Sequence, residues 1–462
     1  MVDLKSYFSE LNQKQTDYFN EGITLSIEFR KSQLLLLKKA IETYQDEISE
    51  ALSLDLGKSD FESFTTEIGF VLSELKHTIK NIGKWSADIN VNSPMALFPS
   101  KSKIINQPHG KTLIVAPWNY PFQLLIAPLI ASIAAGNTCL LKPSELTPKT
   151  AAILSKIIHN TFSENYIDIV EGDGAEVVSS AIDHFQPDFI FFTGSTAVGK
   201  IIAKQAAQYL IPAVLELGGK SPCIVDGSTS VSLTAKRILM GKTINAGQTC
   251  VAPDYILVYE KHLPEFVESM KTAIHDFFGK HPLESADYTK IVNTHHFNRL
   301  LKLMEGTDVI LGGEHDAENR KIEPTLVRIP NMDHPIMKEE IFGPILPIIP
   351  FTTEEDIYKI IAANPNPLAL YIFSSNNEFS NSVTQKVSFG GGCINNTLMH
   401  LVSPEMPFGG VRSSGQGAYH GKFGFDAFTH KKSILKTGFW FDLKQKYPPY
   451  TASGLKLVKK FL

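Results

Sequence analysis

One cysteine in this sequence stands among small and polar residues. Cys250 ends the run Asn245-Ala-Gly-Gln-Thr-Cys250, just after a predicted helix over residues 232–244, whereas the other three cysteines are flanked by residues typical of packing. A thiol is a useful nucleophile only as the thiolate, which needs access and polar or positive surroundings. The pattern therefore indicates a nucleophile at Cys250, and the alternative is a free structural cysteine.

A carboxylate upstream has a comparable setting. Glu216 begins the run Glu216-Leu-Gly-Gly-Lys220, in which glycines surround the acid in place of the charged residues of a helix face. A cysteine and an acid, each in a glycine-bearing turn, indicate covalent catalysis with a separate base. The alternative for Glu216 is an ordinary surface glutamate.

The elements that must position these residues alternate between strand and helix. The pattern predicts strands at residues 112–116, 138–142, 167–171 and 189–193, and helices at 121–135, 147–160, 174–182 and 197–209. A second series begins near Ala213, with strands at 222–225, 255–259 and 345–350 and a helix at 263–278. Helical spacing also covers residues 27–55, and residues 404–424 are dense in glycine and serine, which favours loops. The alternation predicts an α/β protein with parallel sheets covered on both faces.

One predicted strand runs into a glycine-bearing turn. Residues 189–193 lead into Gly194-Ser195-Thr196-Ala-Val-Gly199 and then a helix, and glycines at a helix N-terminus let a pyrophosphate approach free N–H groups. Thr196 stands where the usual dinucleotide fingerprint has its middle glycine. A turn of this kind without a ligand therefore stays open as an alternative.

A lysine and a glutamate end an earlier strand of the same predicted sheet. Lys142 and Glu145, in Lys142-Pro-Ser-Glu145, should lie at the carboxyl edge of the sheet, where ligands of open α/β sheets bind. An ammonium and a carboxylate suit ribose hydroxyls. The alternative is a surface ion pair worth under about 1 kcal/mol.

Length, composition and charge exclude several classes of protein. At 462 residues the chain should form more than one lobe. A net charge of −4 offers no basic face for nucleic acid. Four scattered cysteines without a CxxC pair argue against a disulfide framework or zinc ribbon, and no metal site is predicted.

The two ends of the sequence bear on location. The N-terminal residues lack the apolar core of a signal peptide, and no apolar run is long enough to span a bilayer, so a cytoplasmic protein is expected. Residues 454–462 are basic and amphipathic. They predict a frayed or packed tail, with weak contact to an anionic membrane surface as the alternative.

Together these segments resemble the aldehyde dehydrogenase superfamily, and more closely its class 3 branch. The likeness covers roughly residues 20 to 450. The matching segments are Pro117-Trp-Asn-Tyr-Pro121, Leu141-Lys-Pro-Ser-Glu145, Phe192-Thr-Gly-Ser-Thr-Ala-Val-Gly199, Glu216-Leu-Gly-Gly-Lys220, Gly247-Gln-Thr-Cys-Val-Ala-Pro-Asp254, Glu339-Glu-Ile-Phe-Gly-Pro344 and Pro407-Phe-Gly-Gly410.

The resemblance implies an enzyme that oxidises aldehydes to carboxylic acids with NAD, with NADP accepted. Cys250 would attack the aldehyde to give a thiohemiacetal and then a thioester, which Glu216 would hydrolyse as general base. Asn119, with the backbone N–H of Cys250, would stabilise the oxyanion. Glu340 would bind the nicotinamide ribose and Phe342 would lie beside the nicotinamide.

The cofactor preference rests on two residues that the likeness places at the adenosine ribose. The Glu145 carboxylate should repel the 2′-phosphate of NADP, and Lys142 should offset part of that repulsion. NAD is therefore the expected cofactor, with NADP tolerated.

The likeness also implies an organisation into lobes and a homodimer. Residues 1–82 with 107–212 would form a Rossmann-like NAD(P)-binding domain, residues 213–412 the catalytic domain, 83–106 with 413–445 a bridging region that joins subunits, and 446–462 a C-terminal tail. Medium- or long-chain aliphatic aldehydes, or aromatic aldehydes, are the expected substrates.

Two other functions and one other nucleophile are the alternatives. A coenzyme A-acylating dehydrogenase would not need the hydrolytic base Glu216, and a binding protein that has lost catalysis would not need the whole set of Asn119, Glu216 and Cys250. Cys393 is the rival nucleophile, although the nearest carboxylate before it is Glu378. Cys139 and Cys223 lie in predicted strands and should be buried as small apolar residues.

Overall fold

Two largely parallel sheets form the centre of the fold. The structure is a computed structural model that describes residues 3–460. The helices are α1 (Leu4–Asn20), α2 (Ile27–Thr43), α3 (Gln45–Leu56), α4 (Asp60–Ser63), α5 (Gly69–Trp85), α6 (Gln123–Ala135), α7 (Pro148–Thr161), α8 (Gly174–Ser180), α9 (Thr196–Gln208), α10 (Val231–Thr243), α11 (Leu263–Phe278), α12 (Thr294–Met304), α13 (Glu354–Ala362), α14 (Asn377–Lys386), α15 (Gly421–Ala427) and α16 (Ala452–Val458). The strands are β1 (Ile89–Val91), β2 (Ser100–Pro108), β3 (Lys111–Val115), β4 (Thr138–Lys142), β5 (Ile167–Ile169), β6 (Phe189–Thr193), β7 (Ala213–Glu216), β8 (Pro222–Val225), β9 (Tyr255–Tyr259), β10 (Asp308–Leu311), β11 (His315–Asp316), β12 (Lys321–Ile322), β13 (Thr325–Arg328), β14 (Ile345–Phe351), β15 (Ala369–Phe373), β16 (Gly391–Ile394), β17 (Gly415–Gln416) and β18 (Thr429–Thr437).

The first sheet has six strands in the order β17-β7-β6-β3-β4-β5, all parallel except β17. Strands β4 and β6 are buried at every residue, as strands covered on both faces should be. The strand order reverses at β3, which pairs with β4 on one side and β6 on the other. In open α/β sheets ligands bind outside the carboxyl ends of the strands at such a reversal.

The second sheet has seven strands in the order β10-β13-β14-β9-β8-β15-β16, with only β10 antiparallel. The chain passes into it directly after Glu216, which ends β7 of the first sheet. Cys250 lies just before β9 of the second. The two residues singled out by the sequence therefore lie at the junction between the sheets.

A third, antiparallel sheet is made by β1, β2 and β18. Strand β18 pairs with β2 from Thr429 opposite Pro108 to Thr437 opposite Ser100, and all its residues after Thr429 are exposed. This sheet falls within the two stretches predicted to bridge subunits. The domain limits themselves stay a prediction.

The predicted α/β class is confirmed, and most predicted elements recur within one or two residues of their bounds. The helical stretch 27–55 is divided at Tyr44, where α2 ends and α3 begins with the acidic residues Asp46 and Glu47 in its first turn. The stretch 404–424 is not wholly loop, because β17 pairs there with β7 and α15 begins at Gly421. Over residues 3–460 no helix has the length and apolarity to cross a bilayer.

The C-terminal tail forms the short helix α16, most of whose residues are exposed. Leu457 and Val458 are half-buried and line a cavity of about 510 Å³ together with Phe98 and Phe441. The frayed or packed tail stays a prediction, and Phe461 and Leu462 of the predicted amphipathic tail lie outside the described residues.

Candidate active site

Two cavities meet at the junction of the sheets. The first, here called the apolar cavity, has a volume of about 150 Å³ and is lined by residues such as Tyr120, Leu398 and Phe408. The second, here called the sheet-edge cavity, has a volume of about 430 Å³ and lies beyond the carboxyl ends of β3 and β6. Cys250 and Glu216 line both cavities. A molecule in either cavity can therefore reach these two side chains.

Cys250 is presented by a tight turn after α10. Asn245 and Ala246 have left-handed backbone conformations, with φ of 51° and 49°, which L-residues adopt only when their surroundings hold them there. The Asn245 N–H donates to Glu62 Oε1 at 2.7 Å, and its side-chain amide donates to the Asn119 carbonyl at 2.7 Å. These bonds hold the turn against Asn119.

A glycine is required at the next position of this turn. Gly247 has φ of 75°, and a Cβ placed on it would lie 2.3 Å from the Gly343 carbonyl oxygen. The turn before Cys250 is thus packed backbone to backbone against the segment that carries Glu340 and Phe342. Any side chain at residue 247 would force the two segments apart.

Glu216 is buried, with 2% of its surface exposed, and neither carboxyl oxygen has a hydrogen-bond partner among residues 3–460. It lies beside Thr193 of β6, and its carbonyl accepts the Gly194 N–H at 3.0 Å. Burial raises the pKa of the Glu216 carboxyl well above its usual range. This raised pKa makes the Glu216 carboxylate a stronger acceptor for a proton from water than an exposed glutamate.

Asn119 lies in the turn after β3, and its side chain points toward the cysteine turn. Its Nδ2 donates to the Gln248 carbonyl at 3.0 Å, and its Oδ1 has no partner in the described part of the chain. An amide nitrogen carries two hydrogens, so the second N–H remains able to donate to an oxygen in the sheet-edge cavity, which Asn119 lines.

A buried ion pair that sequence reasoning missed supports the Asn119 turn. Lys58 and Glu67 form a hydrogen-bonded salt bridge with fully buried side chains. The Lys58 ammonium also donates to the Asn119 carbonyl at 3.2 Å, and Glu67 Oε2 accepts the N–H groups of Phe122 and Gln123 at 2.9 and 3.1 Å. Lys58 and Glu67 lie far from residue 119 in sequence and outside any recognisable motif, so no sequence signal pointed to them.

The surroundings of the Cys250 thiol differ from those expected. The sequence led us to expect polar or positive surroundings, but burial raises the pKa of the thiol, and the Glu340 and Glu216 carboxyls raise it further. The resting thiol is therefore protonated at neutral pH.

The sheet-edge cavity fits a dinucleotide cofactor. Gly194, Ser195 and Thr196 line it at the N-terminus of α9, where first-turn N–H groups lack helical partners and favour phosphate oxygens. Trp118 and Phe342 line it with their ring centroids 5.3 Å apart in an edge-to-face arrangement, which makes this part of the lining apolar and aromatic. Trp118 thus faces this cavity, whereas Tyr120 faces the apolar one.

Glu340 adds an unpartnered acceptor to the sheet-edge cavity. Its Oε1 is buried and has no hydrogen-bond partner within residues 3–460. A Cβ on Gly218 would lie 1.9 Å from the other carboxyl oxygen, so only glycine at 218 admits this side chain. Burial, and then the Asp254 carboxylate, raise the pKa of Glu340 to about 8. A buried oxygen of this kind suits a ligand hydroxyl group.

Three of the predicted cofactor residues do not line the sheet-edge cavity. Lys142 and Glu145 lie at the same sheet edge, where the Lys142 ammonium donates to the Pro143 carbonyl at 2.7 Å and to Glu145 Oε2 at 3.1 Å. Gly199 is buried on α9, and a Cβ there would lie 2.5 Å from a methyl group of Leu217. Gly199 therefore permits the helix to pack closely, and ligand contact by all three stays a prediction.

The other cysteines are placed apart from the two cavities. Cys139 and Cys223 are fully buried in β4 and β8. Cys393 is half-buried, lines neither cavity, and has its Sγ 3.5 Å from His400 Nδ1. Burial lowers the pKa of His400 to about 4, so this imidazole is neutral and does not stabilise a thiolate.

Comparison with known proteins decides the family. Residues 13–434 match the aldehyde dehydrogenase family. The chain belongs to the aldehyde dehydrogenase family. It is 46% identical over 446 residues to the 4,4′-diaponeurosporen-aldehyde dehydrogenase of Staphylococcus aureus, with 96% of each chain covered. It is 42% identical over 446 residues to aldehyde dehydrogenase family 3 member H1 of Arabidopsis thaliana, covering 96% of this chain and 92% of the relative.

Further matches agree on fold and cofactor. The solved structure of the substrate-bound state of Staphylococcus aureus AldH superposes with a TM-score of 0.95 at 45% identity, with 98% of each chain covered. The dimeric NADP-preferring aldehyde dehydrogenase of Rattus norvegicus is 39% identical over 449 residues, covering 97% of this chain and 99% of the relative. This aldehyde dehydrogenase is an oxidoreductase that oxidises aldehydes with NAD(P), and the likeness to the class 3 branch is confirmed.

The raised pKa of the Cys250 thiol predicts how its reactivity depends on pH. Because the thiolate is the reactive form, alkylation of Cys250 by iodoacetamide without cofactor should accelerate about tenfold per pH unit from pH 6 to 9, without a plateau. Mass spectrometry of the Cys250 peptide at timed intervals measures the rate, with the Cys250→Ala variant as the blank. A plateau below pH 7 would contradict this expectation and imply a thiolate stabilised at rest.

Proposed function

We propose that Cys250 is the nucleophile, Glu216 the general base and Asn119 an oxyanion donor of this aldehyde dehydrogenase. The observation that carries the proposal is that Cys250 and Glu216 line both the apolar cavity and the sheet-edge cavity. A substrate in one cavity and a cofactor in the other would share the same sulfur and the same carboxyl. Nucleophile, base and oxyanion donor are then within reach of one carbonyl group.

The proposed reaction begins when the Cys250 thiol gives its proton to a water molecule and Sγ bonds to the aldehyde carbon. The aldehyde oxygen becomes an oxyanion, which accepts hydrogen bonds from Asn119 Nδ2 and the Cys250 backbone N–H. Removing one such donor typically costs on the order of 100- to 1000-fold in rate. NAD(P)⁺, when bound in the sheet-edge cavity, supplies the acceptor for the hydride that leaves the thiohemiacetal carbon.

Hydrolysis completes the reaction. Loss of hydride re-forms the carbonyl and leaves a thioester on Cys250. Glu216 accepts a proton from a water molecule as the water oxygen bonds to the thioester carbon, and Sγ then leaves as the thiolate while the carboxylic acid is released. The burial that raises the pKa of Glu216 makes it a stronger base than an exposed glutamate.

The lining of the apolar cavity supports medium- or long-chain aliphatic aldehydes, or aromatic ones, as substrates. The cavity shares Thr65, Phe70, Leu401, Val402 and His420 with a second depression of about 280 Å³. Together they provide a passage in which a long apolar chain can lie with its aldehyde at Cys250. The name of the Staphylococcus aureus relative, 4,4′-diaponeurosporen-aldehyde dehydrogenase, likewise specifies an aldehyde as the substrate of that protein.

Water, not coenzyme A, is the proposed acceptor of the acyl group. A buried carboxyl without hydrogen-bond partners beside the nucleophile is costly, and an acylating enzyme would have no use for it. Measuring NADH absorbance with a long-chain aldehyde, with and without coenzyme A, separates the hydrolytic enzyme, the acylating enzyme and an inactive binding protein. Repeating the assay with NADP⁺ tests the proposed preference for NAD with NADP accepted.

A homodimer in the cytoplasm is the proposed state of the protein. Strand β18 is an edge strand of the three-stranded sheet. The exposed side chains of Ile434 and Leu435 on it are followed by Phe439, which is fully exposed, and Trp440, which is 74% exposed. A long free strand edge with apolar residues is a template for pairing with another chain. A second copy covering this surface would remove the edge, and the predicted weak membrane contact of the C-terminal tail stays a prediction.

Glu216→Gln should separate the two halves of the reaction. Steady turnover should fall by about 100- to 10000-fold, because the general base is lost, while a single-turnover burst of NADH persists, because thioester formation does not need this base. Stopped-flow absorbance measures both phases. If Glu216→Gln loses both the burst and steady turnover while its circular dichroism is unchanged, then Glu216 does not act only as the base for hydrolysis.

Cys250→Ala should abolish NADH formation with every aldehyde tested. Cys393→Ala, which removes a thiol outside both cavities, is the matched control and should keep activity within about twofold, as surface changes usually do. Steady-state absorbance measures both variants. Activity retained by Cys250→Ala and lost by Cys393→Ala would transfer the role of nucleophile to Cys393.

The proposed dimer predicts a mass twice that of the 51.2 kDa chain in analytical ultracentrifugation. The double variant Phe439→Asp/Trp440→Asp should sediment as a monomer, because two carboxylates would be buried in the apolar interface. Leu210→Asp, at an exposed apolar residue elsewhere, is the control and should remain dimeric. A wild-type monomer at micromolar concentration would refute the dimer.

A further inference from the structure

A second buried ion pair lies behind the active site. Lys220 and Asp254 form a hydrogen-bonded salt bridge in which both side chains are 4% exposed. Lys220 follows Glu216 in the turn between β7 and β8, and Asp254 follows Cys250 in the segment before β9. The Asp254 N–H donates to the Ser221 carbonyl at 2.8 Å, so the two turns are also joined through their backbones.

The remaining hydrogen bonds of this pair go to the segment that carries Glu340. The Lys220 ammonium donates to the carbonyl oxygens of Ile336 and Glu339 at 2.8 and 2.9 Å. Asp254 Oδ1 accepts the Ile341 N–H at 3.0 Å. The backbone is therefore held on both sides of Glu340, one residue before it and one residue after it.

This segment needs external support, because it has no regular structure of its own. Residues 338–344 connect a short 3-10 turn at Pro335–Met337 to β14, and Phe342 within them has φ of 51°. Left-handed backbone at a bulky residue persists only where the surroundings determine it. Glu340 Oε1 makes no hydrogen bond in the described chain, so the Glu340 side chain is held by the backbone that carries it and by the close approach of its carboxyl to the turn of Gly218 and Gly219.

The energetic cost of the pair points to a role beyond stability. Taking an ammonium and a carboxylate out of water costs several kcal/mol per ion, and apolar replacements of such pairs are often neutral or stabilising. Two apolar side chains could not form the hydrogen bonds to the backbone groups of Ile336, Glu339 and Ile341. The pair therefore fixes the backbone at Glu340, although an apolar pair could give an equal or larger free energy of unfolding.

We propose that Lys220 and Asp254 are positioning residues for the cofactor, which hold Glu340 and Phe342 in place and link them to the turns that carry Glu216 and Cys250. This inference rests on the proposed function, in which Glu340 binds a cofactor hydroxyl group. Neither residue lines the sheet-edge cavity, so both act through the segment they hold. Their loss should weaken cofactor binding more than it slows chemistry at Cys250.

The test separates cofactor binding from chemistry at the thiol. Hydrolysis of p-nitrophenyl acetate requires acylation of Cys250 and general-base attack by water, but no hydride transfer and hence no cofactor. The double variant Lys220→Met/Asp254→Asn removes both charges of the pair at once, so neither partner is left as an unpaired buried ion. We expect its Kd for NAD⁺, measured by calorimetric titration, to rise about tenfold or more, which corresponds to about 1.4 kcal/mol. Ester hydrolysis should stay within about threefold of wild type.

Two further variants make the result decisive. Lys220→Gln/Asp254→Asn also removes both charges but keeps an amide N–H donor at residue 220, so its Kd should rise less than that of Lys220→Met/Asp254→Asn, and it replaces that variant if that chain does not fold. Lys58→Met/Glu67→Gln removes the other buried pair, which holds the Asn119 turn. It should show the opposite pattern, with ester hydrolysis reduced more than cofactor affinity.

Several outcomes would overturn the inference. An unchanged Kd for NAD⁺ in the double variant would do so, as would equal losses of cofactor affinity and ester hydrolysis with unchanged circular dichroism, since that pattern marks a general structural role. Glu340→Gln serves as the reference for the ligand itself. If that variant binds NAD⁺ normally, the proposed role of Glu340 fails, whereas weak binding by Glu340→Gln with normal binding by the double variant overturns the positioning role alone.

Discussion

Buried ammonium–carboxylate pairs are the interactions on which the active-site region depends. Its reactive side chains lie on turns and irregular segments between two sheets, and such backbone carries polar groups that regular structure does not satisfy. Lys58 and Glu67 form hydrogen bonds with the polar backbone groups of the Asn119 turn. Lys220 and Asp254 do the same for the backbone groups around Glu340. A long ammonium side chain with three donors can reach several carbonyl oxygens at once, which no apolar side chain can do. The two sheets carry the active-site turns, and the two ion pairs hold the Asn119 turn and the segment around Glu340 in place between the sheets.

The acids that face the two cavities differ in their hydrogen bonding from the acids of the two buried pairs. The Glu216 oxygens and Glu340 Oε1 are left without partners in the described residues, while the acids of the two supporting pairs are fully engaged. Burial raises the pKa of Glu216, Glu340 and the Cys250 thiol together, and the carboxyls raise that of the thiol further. The resting Cys250 thiol therefore holds a proton that must leave before Sγ attacks, and the raised pKa of Glu216 makes its carboxylate a stronger acceptor for a proton from water than an exposed glutamate.

The parallel sheets and their helices could be predicted from the sequence, because strands buried on both faces give continuous apolar runs such as residues 189–193. Cys250 and Glu216 were also recognisable, since glycine-rich turns mark them. The supporting residues Lys58, Glu67 and Asp254 could not be assigned a role, because their partners are distant in sequence and depend on how the two sheets meet. The pKa of the thiol was misjudged for a related reason. Small and polar neighbours in sequence describe the chain beside Cys250, whereas its pKa depends on burial and on the Glu340 carboxyl from another segment.

The close packing of segments explains why glycines recur where the sheets meet. Gly247 lies against the Gly343 carbonyl, so the cysteine turn contacts the backbone of residues 338–344 directly. Gly218, in the turn after Glu216, instead contacts the Glu340 side chain, whose carboxyl it admits. The position of the Cys250 turn therefore depends on a contact between backbones that does not involve the Glu340 carboxyl. A displacement of this carboxyl can weaken cofactor binding while the turn that carries Cys250 keeps its place.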